Sequence, residues 1–450
     1  MTGLSRRATV LLAGIITCYL ALGTLYALKV PLWNAPDEPS HYNYVRFLAE
    51  TRQLPILQMG DYDQALLERL KASRFPPNEP IASIRYESHQ PPLYYALCAI
   101  VYAPFSGSPT PTGALALRFF SVVLGALSLL ASAAVFRLLD PKDEAFSLAA
   151  TALMAFLPMR LGIYSSINND VLAELVMSLG LVMLLWRWGQ ERSRSHLLLL
   201  GLVVGAALLT KVMDYLLLAL VPIGLLLSER DRVRTSGGSL QSSLSGVSCL
   251  VARQSALVYL MAAVVGGWWF ARNLLIYGWP DAFGLIRHDA VVIGQPTTGA
   301  VTPGVAIGLL VTLFRSFWGQ FGWMGVLMDN RVYLLLALLS GLSGLGLFLW
   351  FLGELRSPVN PRGYYGKLTL LAITIVVVFA GVVQYNLHYI QAQGRYLYPA
   401  LAPVAAFGII GVRELLAEKH RALLLGLLLA GLCVLDVMAL YLFILPALAT

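Results

Sequence analysis

Asn34-Ala35-Pro36-Asp37-Glu38-Pro39-Ser40-His41-Tyr42-Asn43-Tyr44 follows directly on an apolar run, Val10 to Leu28. A bilayer crossing takes about 20 apolar residues, so the run spans once and the acidic motif marks where the chain leaves the membrane. A secretory signal core is shorter, about 7–15 residues. No small-x-small cleavage site precedes the motif, so Arg6-Arg7 and the run read as an uncleaved first helix with its N-terminus inside.

The rest of the chain repeats this economy of charge. Of 450 residues, 58% are hydrophobic and 12% charged, against about 25% charged in a soluble domain; mean hydropathy is +0.71. Period-2 alternation is absent, which argues against a membrane β-barrel. The fold class is an all-α polytopic membrane protein of about 11 transmembrane helices, at 9–30, 115–137, 145–163, 171–188, 196–210, 212–228, 255–271, 332–352, 367–385, 397–413 and 421–445. With this topology the inner loops hold seventeen Lys and Arg against nine Asp and Glu, while the outer side and the spans balance. The net charge of +8 is thus wholly cytoplasmic, as the positive-inside rule requires, and no nucleic acid is needed to explain it.

Between the spans, residues 31–114 form a long first extracytoplasmic loop with juxtamembrane helices, 272–331 a second extracytoplasmic region, and the Ser/Gly-rich stretch 229–254 a flexible cytoplasmic loop. The aromatic run Phe314 to Trp323 suits headgroup level. The polar Thr210-Lys211 inside an apolar stretch predicts an outer turn, because burying Lys211 at mid-membrane costs roughly 2.5–3.5 kcal/mol. Cys18, Cys98, Cys249 and Cys433 are far apart and predict neither a disulfide framework nor a metal site.

Several outer residues have the chemistry for a reaction. Pro39 suits a first helical turn, which puts Asp37-Glu38 at a helix N-terminus where the dipole favours the anion. There the pair serves equally as a cap or as a general base, with His41 close behind. Glu87-Ser88-His89-Gln90-Pro91-Pro92-Leu93-Tyr94-Tyr95 places His89 just before a short helix. Lys211, Arg272, Arg395 and Arg118 lie near outer ends of different spans; each can snorkel, or several can converge on a phosphate. Asn168-Asn169-Asp170 reads as an outer turn or as a second polar site. No HxxxH or HExxH pattern occurs.

In order, these motifs resemble the GT-C class of membrane glycosyltransferases. The closest likeness is to the family 39-type group of protein O-mannosyltransferases and lipid A aminoarabinose transferases. It rests on the outer Asp-Glu motif, His89-x-Pro91-Pro92-Leu93-Tyr94, Leu208-Leu209-Thr210-Lys211 and Arg395-Tyr396-Leu397-x-Pro399. The resemblance implies inverting transfer of a sugar from a polyprenyl-phosphate donor to an acceptor hydroxyl on the extracytoplasmic face. It implies Asp37 as catalytic base and Glu38, His41, His89, Asn169 and Asp170 as supporting contacts. It implies Lys211, Arg272 and Arg395 as donor phosphate-binding residues, with no metal or other cofactor expected. One departure is the stop at Thr450 after the eleventh span, without the soluble outer domain many members carry. This weighs against a large polymeric acceptor and leaves lipid, glycan and protein open. The absence of an Asn-x-Ser/Thr sequon fits a prokaryotic inner membrane.

A second reading is a lipid or solute transporter using Asp37, Asp214 and Asp436 for ion coupling. The long outer loop and the lack of Gly/Pro-broken spans argue against it. A third is an accessory subunit that keeps the fold without catalysis.

Overall fold

A computed structural model describes residues 4–76, 79–236, 240–299 and 302–448. The helices run α1 (Arg6–Lys29), α2 (Glu38–Thr51), α3 (Gln64–Ala72), α4 (Leu93–Tyr102), α5 (Thr110–Leu139), α6 (Glu144–Ala155), α7 (Pro158–Tyr164), α8 (Asp170–Leu185), α9 (Arg194–Leu208), α10 (Leu216–Thr235), α11 (Leu240–Tyr277), α12 (Leu285–Val291), α13 (Pro303–Trp318), α14 (Asn330–Arg356), α15 (Arg362–Asn386), α16 (Leu401–Leu415) and α17 (Glu418–Met438). Among the described residues eight helices are long and apolar enough to cross a bilayer, or nine if α6 and α7 count as one bent span. The protein is therefore an all-α, multi-pass membrane protein. Every expected span falls on helix, but α8 and α9 have only 16 and 15 residues, short of a full crossing.

Three local features depart from the sequence reading. The expected span 145–163 breaks by 62° between α6 and α7, because Pro158 cannot continue a helix but suits the first turn of a new one. Contrary to the expectation of unbroken spans, proline breaks this one. The stretch 229–254 is not a loop: α10 runs to Thr235 and α11 starts at Leu240, with 237–239 outside the described residues. Its Ser and Gly content suggested coil, yet Arg232 and Arg234 in the last turn of α10 suit a helix C-terminus. The third is α13, a 16-residue helix inside 272–331, capped by Thr302, whose side chain accepts from Val305 N–H. The aromatic run then closes in a two-stranded antiparallel pair, Gln320–Phe321 with Val326–Leu327.

Packing is tight where small residues allow it. α14 crosses α16 so closely that a Cβ on Gly346 would lie 2.0 Å from the Gly411 carbonyl oxygen. In a membrane, small residues at a crossing supply van der Waals contact that apolar burial does not.

The strongest tie lies at the end of α1. Arg118 of α5 makes a forked pair with Glu38, Nε to Oε1 and Nη2 to Oε2, both 2.7 Å. The same guanidinium donates to the carbonyls of Ala27, Val30 and Pro31, which have no helical partner beyond the last turn of α1. Glu38 also accepts from the backbone N–H of Trp33 and Ile167. One ion pair thus fixes the end of α1, the start of α2 and the turn between them. The sequence had offered Arg118 for phosphate and Glu38 for a ligand; both are sealed instead, at 1% and 0% exposure. Removing one partner of a buried pair leaves an uncompensated charge and costs about 3–5 kcal/mol. Arg118→Met is therefore expected to lower the melting temperature in detergent markedly, and an unchanged value contradicts this role.

Candidate active site

The turn that Glu38 holds delivers Asp37. Its backbone is left-handed, φ 65° and ψ −5°, a conformation that costs a side-chain-bearing residue about 1–3 kcal/mol and that Asp tolerates better than most. Unlike Glu38, its side chain is 22% exposed, so a substrate can reach it. Oδ1 accepts from the Tyr86 hydroxyl at 2.8 Å, and Oδ2 from Arg395 Nη2 at 2.5 Å. Burial pushes the Asp37 carboxyl up, but Arg395 and the Tyr86 hydroxyl outweigh it and hold the group below the usual aspartate range. Asp37 is thus ionised at neutral pH.

Arg395 comes from the other end of the chain. It sits in a short 3-10 segment, Gly394–Ala400, leading into α16. Gly394 is required there: a Cβ would fall 2.1 Å from Phe317 N at the end of α13. The Gly394 N–H donates to Ser316 Oγ at 2.7 Å. Arg395 Nε donates to Gln393 Oε1 at 2.7 Å, and Nη1 to Asp170 Oδ2 at 3.2 Å. Asp170 opens α8, where the helix dipole favours its charge. Its other oxygen accepts from Lys211 Nζ, which also donates to Asn169 Oδ1 at 3.1 Å. Lys211 occupies the predicted turn between α9 and α10.

The result is a chain of alternating charge, Asp37–Arg395–Asp170–Lys211, drawn from four distant parts of the sequence. Asp170, Lys211, Arg395 and Tyr396 line a common small cleft. Arg has five N–H donors and Lys three; Arg395 spends three on Asp37, Asp170 and Gln393, and Lys211 two on Asp170 and Asn169. Donors remain for an anion. Beyond Gln393 opens a mainly apolar cavity of about 330 Å³, between α13 (Val305, Gly308, Leu309, Thr312) and residues 390–393.

Other candidates sit nearby in lesser roles. His41 Nδ1 pairs with the Tyr95 hydroxyl at 2.8 Å, and burial pushes its pKa down to about 3, so the ring is neutral. His89 closes its own turn on the Tyr86 carbonyl at 3.0 Å and packs against His288 with the rings tilted by 47°; burial also keeps it neutral. Asn169 bridges Lys211 to Gln90. Arg272 is not brought to Asp37 by any contact. It donates to the carbonyl of Pro55 at 2.7 Å and lies over Trp269, clamping residues 54–55, between α2 and α3, onto α11. Among the described residues no group of three His, Cys, Asp or Glu converges as a metal cage.

Tyr86, Gln90, Gln393 and Glu87 were not singled out from sequence, although each neighbours a quoted motif residue. Glu87 is the odd carboxyl. Burial, and then Asp37, pushes its pKa up from 4.5 to about 7. A proton held more tightly in the folded state makes stability fall as pH rises from about 4.5 through about 7. Glu87→Gln removes that loss, so its melting temperature relative to the parent should rise between about pH 5 and pH 8; a constant difference contradicts the shift.

The chain matches no protein-family model and no curated protein sequence. Solved structures do resemble it. ArnT from Cupriavidus metallidurans bound to undecaprenyl phosphate aligns at TM-score 0.51 and 16% identity, over 97% of this chain and 73% of ArnT. Its apo form aligns at TM-score 0.53, over 98% and 74%. The Archaeoglobus fulgidus oligosaccharyltransferase in complex with Zn and sulfate aligns at TM-score 0.49 and 15% identity, over 94% of this chain but only 53% of its own length. The chain has the GT-C fold of ArnT.

Proposed function

We propose that this protein is an inverting glycosyltransferase. It moves a sugar from a polyprenyl-phosphate donor to an acceptor hydroxyl on the extracytoplasmic face of a prokaryotic inner membrane. The observation that carries this reading is the chain Asp37–Arg395–Asp170–Lys211, which joins an accessible ionised carboxylate to two cations with donors to spare.

The acceptor oxygen attacks the anomeric carbon on the face opposite the phosphate, and Asp37 takes its proton. As the new C–O bond forms, the bond to the phosphate oxygen breaks and its electron pair passes to the phosphate. One in-line displacement inverts the centre. Charge grows on the departing phosphate, and fixed N–H donors aimed there lower the barrier more than they aid ground-state binding. Arg395 and Lys211 supply those donors. Asp170 positions both cations, and Arg395 in turn keeps Asp37 ionised. No divalent ion is assigned a step. Arg272, pinned to the outer loop, has no part in phosphate binding.

The apolar cavity beside Gln393 supports a lipid-linked donor, since a prenyl chain leaving the phosphate needs a dry path. A protein of the same fold crystallised with undecaprenyl phosphate supports it as well.

Membranes containing the protein, given labelled polyprenyl-phosphate sugars, should transfer label to an endogenous acceptor. Asp37→Asn should reduce this by about 10²–10⁴-fold while leaving expression intact, and a chelator should not change the parent rate. Transfer by the Asn variant at the parent rate contradicts the mechanism.

A further inference from the structure

Beside the chain of paired charges stands a carboxylate with no ion-pair partner of its own among the described residues. Glu87 sits in the short turn Tyr86–His89, one residue after the tyrosine that donates to Asp37. Its position is fixed: its N–H donates to Ser40 Oγ at 2.9 Å, on the first turn of α2. The Gln90 side chain stands beside its carboxyl, and Gln90 Oε1 accepts from Asn169, which is tied to Lys211. Glu87 thus belongs to the same polar network as the candidate base. Yet Oε2 is shielded from solvent with no hydrogen-bond partner, and no cation lies within ion-pair distance.

A buried acceptor without a partner is a deficit that folded proteins rarely keep. What faces it narrows the missing donor. Asp37 comes from the turn before α2, Lys211 from the turn before α10, and His288 from α12; Tyr95, Tyr385 and Tyr396 feel its charge. No third metal-binding side chain converges there among the described residues. A carboxylate among phenol rings suits a sugar: the oxygen accepts from a hydroxyl, and the rings cover the C–H face.

We propose that Glu87 is a sugar-binding residue whose Oε2 accepts a hydrogen bond from a ring hydroxyl of the donor or of the acceptor sugar. The proposal rests on the glycosyltransferase reading but concerns recognition, not proton transfer. It adds a specificity contact beside Asp37.

The test compares the purified parent with Glu87→Gln and Glu87→Asp. One arm measures binding of undecaprenyl phosphate and of its glucose, mannose, galactose and arabinose conjugates. The other measures methyl glycosides of the same sugars. At about pH 8, where Glu87 is mostly ionised, Glu87→Gln should bind at least one sugar-bearing probe about tenfold or more weakly, because a charged acceptor is lost, and should bind undecaprenyl phosphate as the parent does. Glu87→Asp, which keeps the charge, should recover part of the loss. A deficit confined to the conjugates assigns the donor sugar, and one in the glycosides assigns the acceptor. Equal binding of every probe by the parent and Glu87→Gln overturns the proposal, as does an equal loss of undecaprenyl phosphate, which marks a merely structural role. Failure here with Asp37→Asn still inactive leaves the transferase reading standing; an active Asp37→Asn removes that reading first.

Discussion

Arg118 holds the end of α1, the start of α2 and, through Glu38, the backbone of Ile167 just before α8. The pair is sealed from water, so its attraction is not weakened by solvent, and its forked geometry meets the need of each oxygen. The rest of the site follows from this constraint. With both ends of the turn fixed, Asp37 has no freedom to relax from its left-handed backbone, and its carboxylate meets Tyr86 and, in the segment before α16, Arg395, which leads on to Asp170 and Lys211. Two adjacent acids therefore divide the labour. Glu38 sets the geometry, and Asp37 keeps a partly exposed carboxylate.

The second constraint is electrostatic. Four charged groups near a membrane boundary are expensive unless each meets an opposite, and the alternating order Asp37, Arg395, Asp170, Lys211 gives each such a neighbour. That order also fixes both cations in place without a ligand. A further buried pair, Arg160 of α7 with Glu174 of α8, packs between Tyr164 and Ser128. It ties the bent α6–α7 region to the helix that carries Asp170.

Much of this was legible in the chain. Apolar length and the bias of Lys and Arg gave the multi-pass class, and Pro39 after Asp37-Glu38 gave a helix start. Thr210-Lys211 gave a turn because burial of Lys211 is costly, and the structure has that turn. The partners were not legible. Glu38 and Arg118 are 80 positions apart, and Arg395 and Asp37 are 358 apart; only the fold decides that Arg118 serves the scaffold while Arg395 serves the site. Arg272 has the same local signal as Arg395, an Arg beside aromatics at the end of a span, yet it caps a loop. α13 was missed because its 16 residues fall short of a full crossing. Glu87 was passed over because nothing local marks a carboxyl that the fold leaves without a partner on one oxygen.

The central claim is that Lys211 and Arg395 hold the donor phosphate beside Asp37. Cryo-electron microscopy of the protein with undecaprenyl phosphate tests it most directly. The account predicts the phosphate within hydrogen-bonding distance of Lys211 Nζ and the Arg395 guanidinium, with the prenyl chain running into the cavity between α13 and residues 390–393. A phosphate seated on Arg272, or on any face away from Asp37, contradicts it.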